Sequence, residues 1–342
     1  MPLPKPIKHI LVIRLSAMGD VAMVVPVLRA LTQQYPEVQL TVLTRAAFKP
    51  IFRDIENITV FSADVKGTHK GIFGLYKLAR QLNKKQRFYA IADLHSVLRS
   101  KILKRFLKCK RFISIDKGRA EKKALVKGEI YRQLKTTHQR YADVFECLGY
   151  KIDLSNPVFP EKNSLSEKIL KIIGKNTKHQ IGIAPFSAHE GKMYPLELMK
   201  QVIETLSKNY NIILFGGGTH EIATLNTFEA SFKNVVTVAG KLNLDEELDV
   251  ISHLEVMLSM DSGNAHLAAM LGVKVITIWG VTHPFVGFAP FNQPKDYALL
   301  ADRKQFPKIP TSIYGNVCPE NYKKAAGSIS PETIVDKIEA VI

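Results

Sequence analysis

Asp261, Ser262, Gly263 and His266 fall within one short stretch, Met260-Asp261-Ser262-Gly263-Asn264-Ala265-His266-Leu267-Ala268-Ala269, between apolar runs at 254–259 and 274–278. Those residue types at that spacing suit anion recognition. Gly263 lacks a Cβ and lets a ligand approach the main chain, and Ser262 can cap the helix that comes next. Free amides at the start of that helix stabilise a phosphate by hydrogen bonds and dipole together. His266, one turn further on, would point back toward the same ligand. An ordinary helix cap with a satisfied histidine has the same pattern, so the stretch needs support from the rest of the chain.

Other positions could join that chemistry. Asp20 closes the turn Ser16-Ala17-Met18-Gly19-Asp20 after the first apolar run, where a carboxylate at a sheet's carboxyl edge could take a proton from an attacking hydroxyl. An acid favoured by the dipole of the next helix would look the same. Lys192 lies in the polar loop Phe186-Ser187-Ala188-His189-Glu190-Gly191-Lys192 and could neutralise a departing diphosphate, with the Ser187 hydroxyl as a second donor; exposed lysines are also common. Gly216-Gly217-Gly218 permits close backbone approach to a nucleotide, and Glu221 just beyond could accept from ribose hydroxyls, although a tight turn needs the same glycines.

Regular alternation of elements must position these groups. The run 7–15 suits a buried parallel strand and turns, through residues 16–20, into an apolar helix at 21–31. Apolar segments at 39–43, 58–61 and 89–94 alternate with helical stretches at 73–82 and 97–107, the pattern of a doubly wound α/β sheet. Asn156-Pro157-Val158-Phe159-Pro160 reads as a linker, and strands are expected after it at 180–185, 211–215, 235–238, 255–259 and 273–278. Two α/β domains in tandem result, 1–158 and 159–342. A last helix over 331–341 carries Ile334, Val335, Ile338 and Val341 at helical spacing and needs a surface on which to pack.

Composition narrows the class. A chain of 342 residues can hold two domains of ordinary size, and 46% apolar with 23% charged residues is ordinary for a globular protein. Pro26 and Arg29 interrupt the longest apolar run, and the N-terminus shows no signal-peptide pattern, so a cytoplasmic protein is expected. Cys109, Cys147 and Cys318 are far apart and lack metal-ligand spacing, which argues against a disulfide framework and against a zinc site. Lys plus Arg number 48 against 31 Asp plus Glu, and the resulting +17 attracts nucleic acid, an anionic membrane face or a phosphorylated substrate. Much of that charge falls between Arg99 and Lys135, either as solvated faces or as a basic rim for an anionic acceptor or membrane.

Missing motifs exclude as much as the present ones suggest. The turn after the first strand has a single glycine, so the dinucleotide fingerprint is absent, and so is a P-loop. His189-Glu190 and His220-Glu221 lack the second histidine of a zincin helix. No Asp-x-Asp pair occurs, which disfavours a sugar nucleotide held through a divalent metal and favours metal-free transfer. Motifs that read DNA or RNA are absent, and the basic residues are not interleaved with stacking aromatics.

Taken together the motifs resemble the heptosyltransferases of lipopolysaccharide core assembly, glycosyltransferase family 9. The resemblance runs from Ile10-Leu11-Val12-Ile13-Arg14-Leu15-Ser16-Ala17-Met18-Gly19-Asp20, with Pro26, through Ala92-Asp93-Leu94-His95-Ser96-Val97-Leu98-Arg99-Ser100, Asp116-Lys117-Gly118-Arg119 and the stretch 138–149. It is strongest over residues 261–272, followed by Trp279-Gly280 and Thr282-His283-Pro284.

The resemblance implies a GT-B fold: two Rossmann-like α/β domains with a cleft between them, and a C-terminal helix packing back toward the N-terminal domain. It implies an inverting, metal-independent transfer of a heptose from an ADP-sugar to a lipid-linked, anionic saccharide, with no cofactor. Asp20 then stands as the general base and Ser187 and Lys192 as diphosphate contacts. Asp261, Ser262, Gly263 and His266 form the donor loop, and Glu221 is the ribose partner. Asp261, repelled by phosphate, is expected to orient the loop or bind sugar hydroxyls. Arg45, His95, Arg99 and Arg119 are expected to contact the acceptor. The expected setting is peripheral, at the cytoplasmic face of the inner membrane, with salt-sensitive binding and no nucleic acid partner. The same fold could serve another nucleotide-sugar enzyme such as an epimerase, and the charge alone would also suit a nucleic-acid-binding protein.

Overall fold

The computed structural model describes residues 8–174 and 179–342, and the chain divides into two compact units. One holds the chain up to Lys117 together with Thr137–Val158, the other Gly118–Thr136 with Phe159–Ile342. Ile7, the expected start of the first strand, lies outside the described residues.

The first unit is built on five parallel strands: β1 (Lys8–Ile13), β2 (Val38–Thr44), β3 (Ile58–Ser62), β4 (Ala90–Asp93) and β5 (Arg111–Ser114). Their order is β3-β2-β1-β4-β5. Residues 10–13 of β1 have no exposed surface, as a strand covered on both faces requires. Ile13 aligns with Leu43 of β2 and with Asp93 of β4, so Arg14, Arg45 and His95 all leave the sheet along its carboxyl edge. The apolar helix expected at 21–31 is two helices, Met18–Ala22 and Val24–Gln34, and the first of these carries Asp20. Sequence pattern misses β5, whose four residues are at most half buried and form no apolar run.

Six parallel strands build the second unit: β6 (Gln180–Ala184), β7 (Asn211–Leu214), β8 (Val235–Thr237), β9 (Val256–Met260), β10 (Lys274–Trp279) and β11 (Ala298–Leu300). The order is β11-β10-β9-β6-β7-β8. In each sheet the direction of strand addition reverses once, between β1 and β4 and between β6 and β9. Connections leaving the two strands at such a point cross to opposite faces, and the crevice between them at the carboxyl edge is where α/β sheets bind ligands.

The last helix, Pro331–Glu339, lies on the helix Leu196–Leu206, and Ile334, Val335 and Ile338 share a core with Met199, Val202 and Ile203. Matching apolar stripes on two adjacent helices bury each other.

Residues 118–136, expected in the N-terminal half, group with the second unit. Leu125 and Leu134 bury against Val286, Leu134 N–H donates to Phe285 O at 3.0 Å, and the Lys122 ammonium sits 4.0 Å from the centre of the Phe288 ring. Gly287, at φ 91°, admits this segment, because a Cβ there would collide with the Lys135 carbonyl. The basic stretch 99–135 is therefore shared between the two units.

Candidate active site

At the reversal point of the first sheet, Arg14 organises the turn after β1. Its guanidinium is 7% exposed, donates from Nη1 to Leu94 O at 2.7 Å, and pairs through Nη2 with Asp20 Oδ2. Ala17 N–H donates to the same carboxylate oxygen at 3.2 Å, and the buried Tyr141 hydroxyl donates to Asp20 O at 3.3 Å. Both side-chain contacts of Asp20 fall on Oδ2, and the side chain is 32% exposed, so Oδ1 is the oxygen placed to take a proton. A rigid, half-accessible carboxylate held from behind is the arrangement general-base chemistry needs.

The turn after β4 supplies the opposite wall. Asp93, fully buried, accepts from the N–H groups of His95 and Ser96 at 3.1 and 2.9 Å and from the Ser114 hydroxyl at 3.2 Å. His95 is 6% exposed, and its Nδ1 has no hydrogen-bond partner among the described residues. Burial, with the nearby charge of Arg14, holds the imidazole pKa down at about 3, so the ring is neutral at physiological pH. A folded-state value below the unfolded one means that stability is complete above about pH 6.5 and is lost as pH falls toward 3. His283, lowered to about 4 by burial, acts in the same sense, whereas Glu247, raised to about 7 by burial, acts in the opposite one. Melting wild type and His95→Asn side by side isolates the first contribution. The stability gap between them should narrow from pH 7 to pH 4, and a pH-independent gap would show that His95 is not held neutral by the fold.

At the reversal point of the second sheet, the loops after β6 and β9 meet through charge. Lys192 Nζ lies 2.8 Å from Asp261 Oδ2, the side chains being 14% and 8% exposed, and Thr282 Oγ1 donates to that same oxygen at 2.8 Å. The Ser187 hydroxyl donates to Asp261 O at 3.4 Å. Asp261 thus orients the loop, and Lys192, Ser187 and Thr282 are fixed around it. Val281 N–H donates to Gly191 O at 2.9 Å, a passage so close that a Cβ on Gly280 would strike that carbonyl, and it sets the height of Lys192 over the strand ends.

Other expected site residues are placed differently from their simplest reading. Ser262 is the N-cap residue of the helix Gly263–Met270, but its hydroxyl pairs with that of Ser259 at 3.0 Å and does not cap the helix. That hydroxyl therefore accepts from none of the amides at the helix start. His266 is 7% exposed, one turn into that helix. Glu221 Oε2 accepts from Gly217 N–H at 2.8 Å and so shapes the glycine loop after β7. Arg45 lies over the Phe48 ring at 4.5 Å and Arg99 is exposed at the start of the helix Leu98–Phe106, both in the first unit with His95; Arg119 belongs to the second.

Sequence reasoning did not single out Arg14, Thr282 or Tyr141. Arg14 had a readable signal, a charge at the very end of an apolar strand. Thr282 and Tyr141 act through contacts with residues distant in the chain, and no local pattern marks those. Among the described residues, no group of His, Cys, Asp and Glu is placed to hold a metal ion, and no helix is long and apolar enough to cross a membrane.

The model for glycosyltransferase family 9 (heptosyltransferase) matches residues 75–312. The lipopolysaccharide core heptosyltransferase OpsX of Haemophilus influenzae is 27% identical over 292 residues, 83% of this chain and 82% of its own length. Lipooligosaccharide heptosyltransferase 2 of Campylobacter jejuni is 21% identical over 328 residues, covering 94% and 95%. Among solved structures, a glycosyl transferase family 9 protein from Veillonella parvula superposes with a TM-score of 0.78 at 21% identity, covering 99% of this chain and 98% of the other. The E. coli heptosyltransferase WaaC with ADP gives 0.71 at 18% identity, covering 98% and 100%. At those identities the structural likeness speaks for a common fold, two parallel α/β units of GT-B type.

Proposed function

The chain belongs to glycosyltransferase family 9, and from that premise we propose that it moves a heptose from an ADP-sugar to an inner-core sugar of lipopolysaccharide or a related lipid-linked acceptor. The reaction is a direct displacement with inversion. Asp20 takes the proton of the acceptor hydroxyl as its oxygen bonds to the anomeric carbon, the bond from that carbon to the diphosphate breaks, and ADP departs with the electron pair. Lys192, the Ser187 hydroxyl and the amides at the start of the helix Gly263–Met270 meet the growing negative charge, and they bind the transition state more strongly than the ground state. Asp261 and Thr282 keep Lys192 in place. Glu221 and His266 line the nucleotide side, and Arg45, His95, Arg99 and Arg119 serve the acceptor.

The observation that carries this reading is the pairing of the two charged constellations, Arg14 with Asp20 and Lys192 with Asp261, each at the strand-order reversal of its own sheet. Its test is ADP release from ADP-heptose with and without a deacylated inner-core acceptor. Release that depends on the acceptor is expected; release without transfer, or none at all, would refute it.

We place the enzyme at an anionic membrane face, and one surface of the first unit supports this. Ile72, Phe73 and Tyr76 at the start of the helix Gly71–Lys85, and Leu98 at the start of Leu98–Phe106, are 60, 90, 47 and 74% exposed. Exposed Lys70, Lys77, Arg99 and Lys101 surround them. The two helices lie side by side, joined by Asn83 Nδ2 to Phe106 O at 2.9 Å and by the Tyr76 and Phe106 rings. Each comes after a parallel strand, so both begin at the carboxyl edge that also carries Asp20. Apolar tips ringed by cations bind anionic interfaces in a salt-sensitive way. Phe73→Ser with Leu98→Ser is expected to abolish co-sedimentation with phosphatidylglycerol vesicles while leaving transfer to a soluble acceptor intact; unchanged sedimentation would remove this surface from membrane contact.

A further inference from the structure

A basic cavity of about 490 Å³ lies within the second unit and shares no lining residue with the donor loop. Lys127, Tyr131, Arg303, Lys308 and Thr311 supply its polar lining, and among the described residues no carboxylate lines it. The Arg303 guanidinium stacks 3.8 Å from the centre of the Tyr131 ring and is fixed by its Nε donating to Ile309 O at 3.0 Å. Lys127 lies 3.2 Å from the exposed Glu129, which leaves Arg303 and Lys308 as the lining cations without a carboxylate partner among the described residues.

Tyr131 lines this cavity and also a neighbouring one that His283 lines, and its hydroxyl has a proton to give. His283, 1% exposed, accepts the Phe285 N–H at Nδ1, 3.2 Å away, so a neutral ring carries its proton on Nε2. Burial lowers its pKa to about 4 and keeps it neutral. Nε2 therefore donates to the Tyr131 hydroxyl at 3.0 Å. That is the hydroxyl's one hydrogen bond among the described residues, so its own proton is left for a ligand.

We infer that this cavity binds the phosphate monoester of a phosphorylated saccharide, as an oxyanion site apart from the donor loop. Two uncompensated cations and a hydroxyl donor balance a phosphate dianion, whereas a carboxylate would leave one cation unmatched. The volume admits a sugar ring as well as the phosphate.

The test is calorimetric titration of the full chain with inorganic phosphate and with a hexose 6-phosphate, each with and without saturating ADP. Both should bind in the presence of ADP, the sugar phosphate at least as tightly. Lys308→Met, at an exposed position, and Tyr131→Phe, which keeps the ring under Arg303, should each weaken binding by about tenfold. The site is overturned by loss of phosphate binding under ADP, by variants that bind like wild type, by inorganic phosphate outcompeting the sugar phosphate, or by no binding at all. The titration does not depend on heptose transfer: a protein inactive in the transfer assay that binds phosphate in this way loses only its proposed reaction.

Discussion

Asp20→Asn should lower turnover by roughly 100-fold or more, the scale on which a general base contributes, while ADP binds as before. Asparagine has the same shape and can still accept from Ala17 N–H and from Arg14, so the turn after β1 keeps its form and only proton acceptance is lost. A hundredfold change is about 2.7 kcal/mol of barrier. The measurement is steady-state transfer beside an ADP titration of the same preparation. Because the donor loop belongs to a different compact unit, a fall in ADP affinity would point to misfolding and not to lost catalysis. Unchanged turnover would take Asp20 out of the mechanism.

Lys192→Met carries the second large effect, and here structure and ligand must be separated. The Lys192–Asp261 pair is nearly buried, so removing the lysine strands a carboxylate and costs about 3 kcal/mol or more of stability, tempered by the Thr282 hydroxyl that remains on Asp261. ADP affinity should fall by roughly 10–100-fold, the range of a charge-assisted contact to phosphate. The double variant Lys192→Met with Asp261→Asn removes both charges together. It should regain most of the lost thermal stability without regaining ADP affinity. Recovery of both would mean that Lys192 only props up the loop, and loss of neither in the single variant would remove it from the donor site.

The stretch 261–266 and the carboxylate at Asp20 were legible because each is local. A polar turn between a buried strand and a helix needs only neighbouring residues to be recognised, and that placement alone brings a side chain to the sheet's carboxyl edge. β5 was not legible, since its four residues are at most half buried and need no apolar run, and β11, although apolar, is only three residues long. Glu221 and Ser262 show the limit of reading roles from type: each has the expected chemistry, yet one holds Gly217 and the other Ser259 in this conformation.

By itself the sequence determined the alternation of strands and helices, the linker near Asn156 and the residue types gathered at the turns. Periodic burial and turn chemistry act over a few residues, and the chain carries them wherever it goes. Only the tertiary structure decided the strand order, and with it that Lys192 meets Asp261 over β6 and β9 and that Arg14 reaches Leu94 and Asp20 beside β1 and β4. It also decided that Tyr131 joins His283 across 152 positions of chain. Such pairings depend on which strands lie side by side, a choice made by the packing of whole helices over each sheet, and no short window of residues contains it.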